Sequence, residues 1–188
     1  MKLYRVTDDY IEKLREIDER VCWNKSDQKQ RPYCGTVLEI GEINYFVPMS
    51  SPKEKSGNTQ WTIKILGNDE TDKLGSLQYQ YMIPVPPSEL INLDPSEVIR
   101  NEDEKYGNLL LKQYFFIRGN EERIGNKALK VYNIRNSGNV EYFNKNCVDF
   151  KSLEKAHDLY IRGKTTVIED HKKVTDRINY LSKIIMDR

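Results

Sequence analysis

The sequence predicts an α+β fold in which a strongly twisted antiparallel sheet is flanked by helices. Two observations predict it. From residue 34 to residue 85 β-prone runs alternate with turn signals, and after residue 88 apolar residues recur every three or four positions. Pro84, Pro86 and Pro87 stand at the change of period, where they end any strand. A chain of 188 residues is long enough for one full hydrophobic core, so a second independent domain is not expected.

Thr7 followed by Asp8 and Asp9 predicts a helix N-terminus, with the two acids complementing the helix dipole. Ile11, Leu14 and Ile17 continue it at helical spacing, giving a first helix over residues 7–20 with no strand before it. Residues 24–31 are polar and aperiodic, a loop that Pro32 ends in an extended conformation. Strands over residues 34–40 and 43–47 meet at Gly41-Glu42 as a hairpin, and Pro48 closes the second. Residues 50–59, rich in Ser, Lys, Gly and Pro, form a surface loop before a third strand over 61–66. After a turn at 67–73, residues 74–85 read as one longer strand with Leu77, Tyr79 and Tyr81 on one face, making four strands in all. The pattern then predicts a helical turn over 88–93 and helices over 102–120, 121–135 and 150–162, the last capped by Asp149. Ile168, His171, Val174, Ile178, Leu181 and Ile185 make the tail an amphipathic helix that packs on the domain or pairs with a partner.

Composition narrows the function. Apolar residues are 38% of the chain and charged residues 31%, so the core is modest and the surface heavily charged. No run approaches the roughly 20 apolar residues of a membrane span, and the N-terminus lacks a signal-peptide apolar region; a cytoplasmic protein is expected. Cys22, Cys34 and Cys147 are odd in number and far apart, which argues against a disulfide framework or a zinc site. His157 and His171 are too few for a histidine-rich metal centre or a paired-histidine ribonuclease, so neither metal nor cofactor is expected. The net charge is only +1, yet seven basic residues oppose four acidic ones between Arg20 and Lys64.

Within that stretch lies the one arrangement that points to chemistry. In an antiparallel hairpin, the residue entering the first strand and the residue leaving the second lie at the same edge. Arg31 is therefore expected beside Ser50, Ser51 and Lys53. A guanidinium fork, an ammonium and two hydroxyls together form a receptor for a phosphodiester. RNA carries its own nucleophile, the 2′-hydroxyl, so a protein that aligns that oxygen and neutralises the pentavalent phosphate needs no metal. In this reading Lys53 and Arg31 stabilise charge while Ser50 and Ser51 orient the 2′-hydroxyl or the phosphate. The general base stays open, Lys53 with a depressed pKa being one candidate. Tyr10, Trp23, Tyr33 and Tyr45 are aromatic groups for stacking unpaired bases, although core packing is the favoured account of Trp23 and Tyr45.

Taken as strings, several segments resemble a known family. Met1-Lys2-Leu3-Tyr4 with Tyr10, then Val37-Leu38-Glu39-Ile40, then Tyr45-Phe46-Val47-Pro48-Met49-Ser50-Ser51-Pro52-Lys53, and later Met82-Ile83-Pro84, follow the order and spacing of the ToxN/AbiQ endoribonuclease toxins of type III toxin–antitoxin systems. Lys112-Gln113 and Phe116-Ile117-Arg118 match that family's Lys-Gln and Phe-Ile-Arg pattern, and residues 150–158 resemble its final helix. The resemblance covers residues 1–163, leaving 164–188 as a separate amphipathic tail.

What the resemblance implies is a fold similar to the Kid/MazF group and metal-independent, sequence-selective cleavage of cellular or phage mRNA. The products would be a 2′,3′-cyclic phosphate and a 5′-hydroxyl. It further implies inhibition by a repeated antitoxin RNA that folds as a pseudoknot and holds toxin copies in a closed assembly, with no protein antitoxin, in growth inhibition or abortive phage infection. Ser51 and Lys53 fall on the family's Ser and Lys, Ser50 replaces a Thr, Arg31 replaces a Lys, and Lys55 stands where an aromatic residue is usual. Tyr10, Lys29, Tyr33, Lys55, Gln113, Phe116 and Arg118 are the expected RNA contacts. Two other readings are a non-catalytic RNA-binding module on the same edge and a protein-interaction adaptor working through the C-terminal helix.

Overall fold

Strand β1 (Lys2–Val6) opens the chain, ahead of the helix with which the sequence pattern begins. Five residues are too few for a period to register, and β1 owes its place to antiparallel partners on both sides, β2 (Tyr33–Ile40) and β7 (Leu90–Asn92). The computed structural model describes residues 1–24, 30–51, 61–67, 69 and 71–164. Lys29, Lys53, Lys55 and the amphipathic tail beyond 164 lie outside the described residues.

Helix α1 (Asp8–Ile17) buries Tyr10, Ile11 and Leu14, but Ile17, expected on the same face, is exposed. It stops short of residue 20 because Asp18 leaves the helix to bind Arg20 side chain and backbone, and the amide of Asp149. Thr7 stands at the N-cap without capping; its hydroxyl donates to Glu89 instead.

Strands β2 (Tyr33–Ile40) and β3 (Ile43–Ser50) form the predicted hairpin around Gly41, whose φ of +60° suits the turn. Pro48 does not end β3. Its missing N–H falls opposite Tyr33, and Met49 N donates to Pro32 O at 2.9 Å, so the strand runs on to Ser50. β4 (Thr62–Leu66) lies where expected. The single strand anticipated over 74–85 is two, β5 (Lys73–Gln78) and β6 (Ile83–Pro84), divided by a 3₁₀ turn at Tyr79–Tyr81. Both pair with β3: Tyr45 and Phe46 face β6, whereas Met49 and Ser50 face β5. The helical turn predicted over 88–93 is a 3₁₀ turn at Pro87–Glu89 followed by β7 (Leu90–Asn92). Among the described residues the sheet thus has seven strands rather than four, in the order β4-β5-β3-β2-β1-β7 with β6 also on β3, and every pairing between them is antiparallel.

Helix α2 (Pro95–Asn101), which the period did not reveal, is capped by Asp94. Asp103 caps α3 (Glu104–Arg118), accepting from Tyr106 N at 2.8 Å and so starting it later than residue 102. Helix α4 (Glu121–Ser137) ends at left-handed Gly138. The short α5 (Glu141–Asn146) was also unforeseen; α6 covers residues 150–164, with Asp149 accepting from Ser152 N. Helix α3 packs over β4 and β5, and α4 over β2. One core runs between these layers, its large fully buried side chains including Tyr10, Tyr33, Tyr45, Phe46, Tyr79 and Phe150. Cys22, Cys34 and Cys147 are free thiols. Among the described residues no helix is long and apolar enough to cross a membrane.

The end of α6 is tied to the sheet layer through one carboxylate. Glu89, 3% exposed, accepts from Thr7, Ser88 and Lys164. Burial alone would raise its pKa, but hydrogen bonds from Lys164, Thr7, Ser88 and Tyr160 prevail and hold it at about 2. Since this folded value lies below the ordinary 4.5, the stabilisation is complete above that pH and fades as the pH falls towards 2. Glu89→Gln is accordingly expected to lower stability at neutral pH by on the order of 2 kcal/mol, discounted for the half-exposed Lys164. Denaturant melts should show the gap between variant and parent closing as the pH drops below 4.5.

Candidate active site

The hairpin delivers Arg31 and the end of β3 to one edge. Tyr33 pairs with Pro48, and the Arg31 guanidinium donates from Nη1 to Met49 O at 3.3 Å. Its Nε is buried and has no hydrogen-bond partner among the described residues. Cys22 and Tyr33 lie near enough to feel its charge. Burial pushes the Cys22 thiol pKa up against the pull of Arg31 and Arg15, which marks it as a packed thiol and not a nucleophile. Arg15 also covers the ring of Trp23 at 4.8 Å; Trp23 is half exposed, so the core-packing account does not hold for it.

At Ser50 the chain crosses from sheet to loop. Ser50 pairs with Ser76 of β5, their hydroxyl oxygens 2.8 Å apart. Gln78, two residues on and therefore on the same face of β5, donates from Nε2 to Ser76 Oγ at 2.7 Å and to Ser50 Oγ at 3.3 Å. Ser51 follows, exposed, as the last described residue before Lys53 and Lys55. Ser76 is buried and Gln78 half-buried. The sequence reading missed both, yet polar residues at alternate positions in the otherwise apolar Leu74-Gly75-Ser76-Leu77-Gln78 were a legible signal that one strand face carries polar groups.

Three of the expected RNA contacts are corrected by burial. Tyr10 is 0% exposed, and its hydroxyl donates to Pro84 O at 2.9 Å. The Tyr33 ring is equally sealed. Gln113, 4% exposed, donates from Nε2 to Leu74 O at 2.7 Å. None of the three presents a face to a base; Gln113 instead braces β5 from beneath, one residue from Gly75. Phe116 packs half-buried against the core, and Arg118 is exposed beside Glu121, which also takes the N-terminal ammonium. Tyr45, too, is fully buried, its hydroxyl donating to Glu154 at 2.9 Å. His157 is buried, as a packed imidazole would be. No cluster of metal-ligating side chains occurs among the described residues.

An α+β domain built on an antiparallel sheet of this kind has counterparts among toxins of type III toxin–antitoxin systems. Residues 2–158 match the family model described as "Toxin ToxN, type III toxin-antitoxin system". The chain belongs to the ToxN family. Endoribonuclease ToxN of Bacillus thuringiensis subsp. kurstaki is 38% identical over 158 residues, covering 81% of this chain and 80% of the relative. Endoribonuclease AbiQ of Lactococcus lactis subsp. lactis is 31% identical over 175 residues, or 88% and 92% of the two chains. A solved type III system, described for selective toxin inhibition by a non-coding RNA pseudoknot, superposes with a TM-score of 0.76 at 36% identity over 85% of this chain and 96% of that one. The structure of AbiQ, described as a lactococcal anti-phage endoribonuclease, gives a TM-score of 0.75 at 28% identity over 86% and 98%.

The position of Ser50 depends on a glycine across the strand pair. Gly75 has φ of +146°, and a Cβ there would lie 2.4 Å from Ser50 O and 3.0 Å from Gln113 Nε2. Gly41 also has positive φ but open space around it. Gly75→Ala is therefore expected to lower stability by about 3 kcal/mol and Gly41→Ala by about 1 kcal/mol. Chemical denaturation of the two variants measures the difference.

Proposed function

We propose that the protein is a metal-independent endoribonuclease toxin, cutting cellular or phage mRNA at the edge formed by Arg31, Ser50, Ser51 and Lys53. Residues 1–163 would form the nuclease domain of this cytoplasmic toxin, with a strongly twisted sheet akin to that of the Kid/MazF group. The observation that carries the reading is the hydrogen bond of the Arg31 guanidinium to Met49 O, next in the chain to Ser50 and exposed Ser51.

In the reaction the 2′-oxygen bonds to phosphorus as the P–O5′ bond breaks; the proton lost from the 2′-hydroxyl is matched by the proton gained at O5′. The products are a 2′,3′-cyclic phosphate and a 5′-hydroxyl. The guanidinium of Arg31, whose Nε has no partner among the described residues, is suited to neutralise the charge that grows on the nonbridging oxygens, and Lys53 would add a second cation. Ser50 and Ser51 supply hydroxyls that orient the phosphate. An inhibitor that fills this edge must resemble the substrate in backbone and charge. A repeated antitoxin RNA folded as a pseudoknot meets that requirement, and the non-coding RNA pseudoknot named for a related system supports it.

Incubation of the purified protein with an A-rich RNA in EDTA should yield fragments ending in 2′,3′-cyclic phosphate and 5′-hydroxyl. RNA left intact at high protein excess would instead favour a binding module. Ser51→Ala and Lys53→Ala should each abolish growth inhibition while circular dichroism reports an unchanged fold. A folded Lys53→Ala protein that still arrests growth contradicts the assignment.

A further inference from the structure

We infer that Ser76 and Gln78 are positioning residues for the reaction, a hydrogen-bond relay that turns the hydroxyl proton of Ser50 outward to a phosphate oxygen. The inference rests on the proposed nuclease reading and adds two residues to it. Ser76 is 5% exposed, so its hydroxyl proton needs an acceptor within the protein. Among its contacts with described residues that acceptor is Ser50 Oγ, at 2.8 Å, because Gln78 Nε2 is itself a donor to Ser76. The same amide nitrogen reaches Ser50 Oγ at 3.3 Å. Ser50 thus accepts from both neighbours, which occupies its lone pairs and leaves its own proton free to donate.

The backbone reinforces this direction. The pairing of Ser50 with Ser76 is the last rung between β3 and β5, and Gly75 beside it permits the close approach of Ser50 O. Two fixed donors behind one hydroxyl are preorganisation, which matters most where charge develops in the transition state. Reversing one donor should therefore change the chemical step and leave RNA affinity alone. Gln78→Glu does so with almost the same shape: its carboxylate accepts from Ser76 and Ser50 and draws the Ser50 proton inward. Ser76→Ala removes the middle of the relay without adding volume.

The test is steady-state cleavage of an oligoribonucleotide carrying a site first mapped with the unaltered protein. Its 2′-deoxy analogue at the scissile nucleotide serves as a binding probe, and thermal melts follow folding. Gln78→Glu and Ser76→Ala are each expected to lower kcat by roughly tenfold to a hundredfold, with KM and analogue affinity unchanged. Added to Ser50→Ala, neither should lower kcat further. Parental kcat in both variants while Ser50→Ala is impaired overturns the relay alone. Losses that add fully to that of Ser50→Ala also overturn it, since they mark a merely structural role. Full activity in Ser50→Ala overturns the reading of the site beneath it. If Gln78→Glu fails to fold, Ser76→Ala decides.

Discussion

The last two rungs of pairing between β3 and β5 organise the candidate site. Met49 and Ser50 leave the company of β6 and take up Leu77 and Ser76, so a single strand serves two neighbours in succession. Such a handover needs the chain between β5 and β6 to bend, and the 3₁₀ turn at Tyr79–Tyr81 supplies the bend while burying Tyr79. It also needs β5 to approach without a side chain at residue 75, where glycine alone avoids Ser50 O. Gln113 of α3 holds Leu74 O from the other side, so the helix layer and the strand pair fix the same few atoms. A polar edge held from three directions is a suitable base for chemistry that depends on position more than on an unusual functional group.

Electrostatics complement that geometry. Most cations whose contacts are described here have an acidic partner: Arg5 meets Glu102, Arg20 meets Asp18, Lys151 meets Glu154 and Lys164 meets Glu89. Arg31 donates instead to a backbone carbonyl, and among the described residues its Nε has no hydrogen-bond partner. A guanidinium held by a neutral carbonyl keeps its full charge for an incoming anion, whereas one closed by a carboxylate does not. On that contrast rests the proposal that a chain of net charge +1 binds phosphate at this edge.

Much of this was readable from local signals. The Gly41-Glu42 hairpin brought Arg31 to the end of β3, where it meets Met49 O, without any tertiary information, because antiparallel return is a matter of chain direction. Helices α3, α4 and α6 followed from apolar spacing and from Asp149 as a cap. What escaped was set by distant partners. β1 and β7 are short segments stabilised by pairing with each other, and the break between β5 and β6 is imposed by β3. Tyr10, Tyr33 and Gln113 read as RNA contacts because their side chains suit RNA, while the folded chain buries them under Pro84, beside Arg31 and against Leu74. Residue type alone does not distinguish a buried polar strut from a binding group. Burial does, and burial belongs to the whole fold.

The central claim is that RNA is engaged at the edge where Arg31, Ser50 and Ser51 meet. Its most direct measurement is amide NMR of the labelled protein titrated with an RNA made uncleavable by 2′-deoxy substitution. The amides of Arg31, Ser50, Ser51 and Ser76 should move together and saturate with RNA, while those of α5 stay in place. Saturation with the edge amides unmoved, and with shifts confined to another face, would contradict the account.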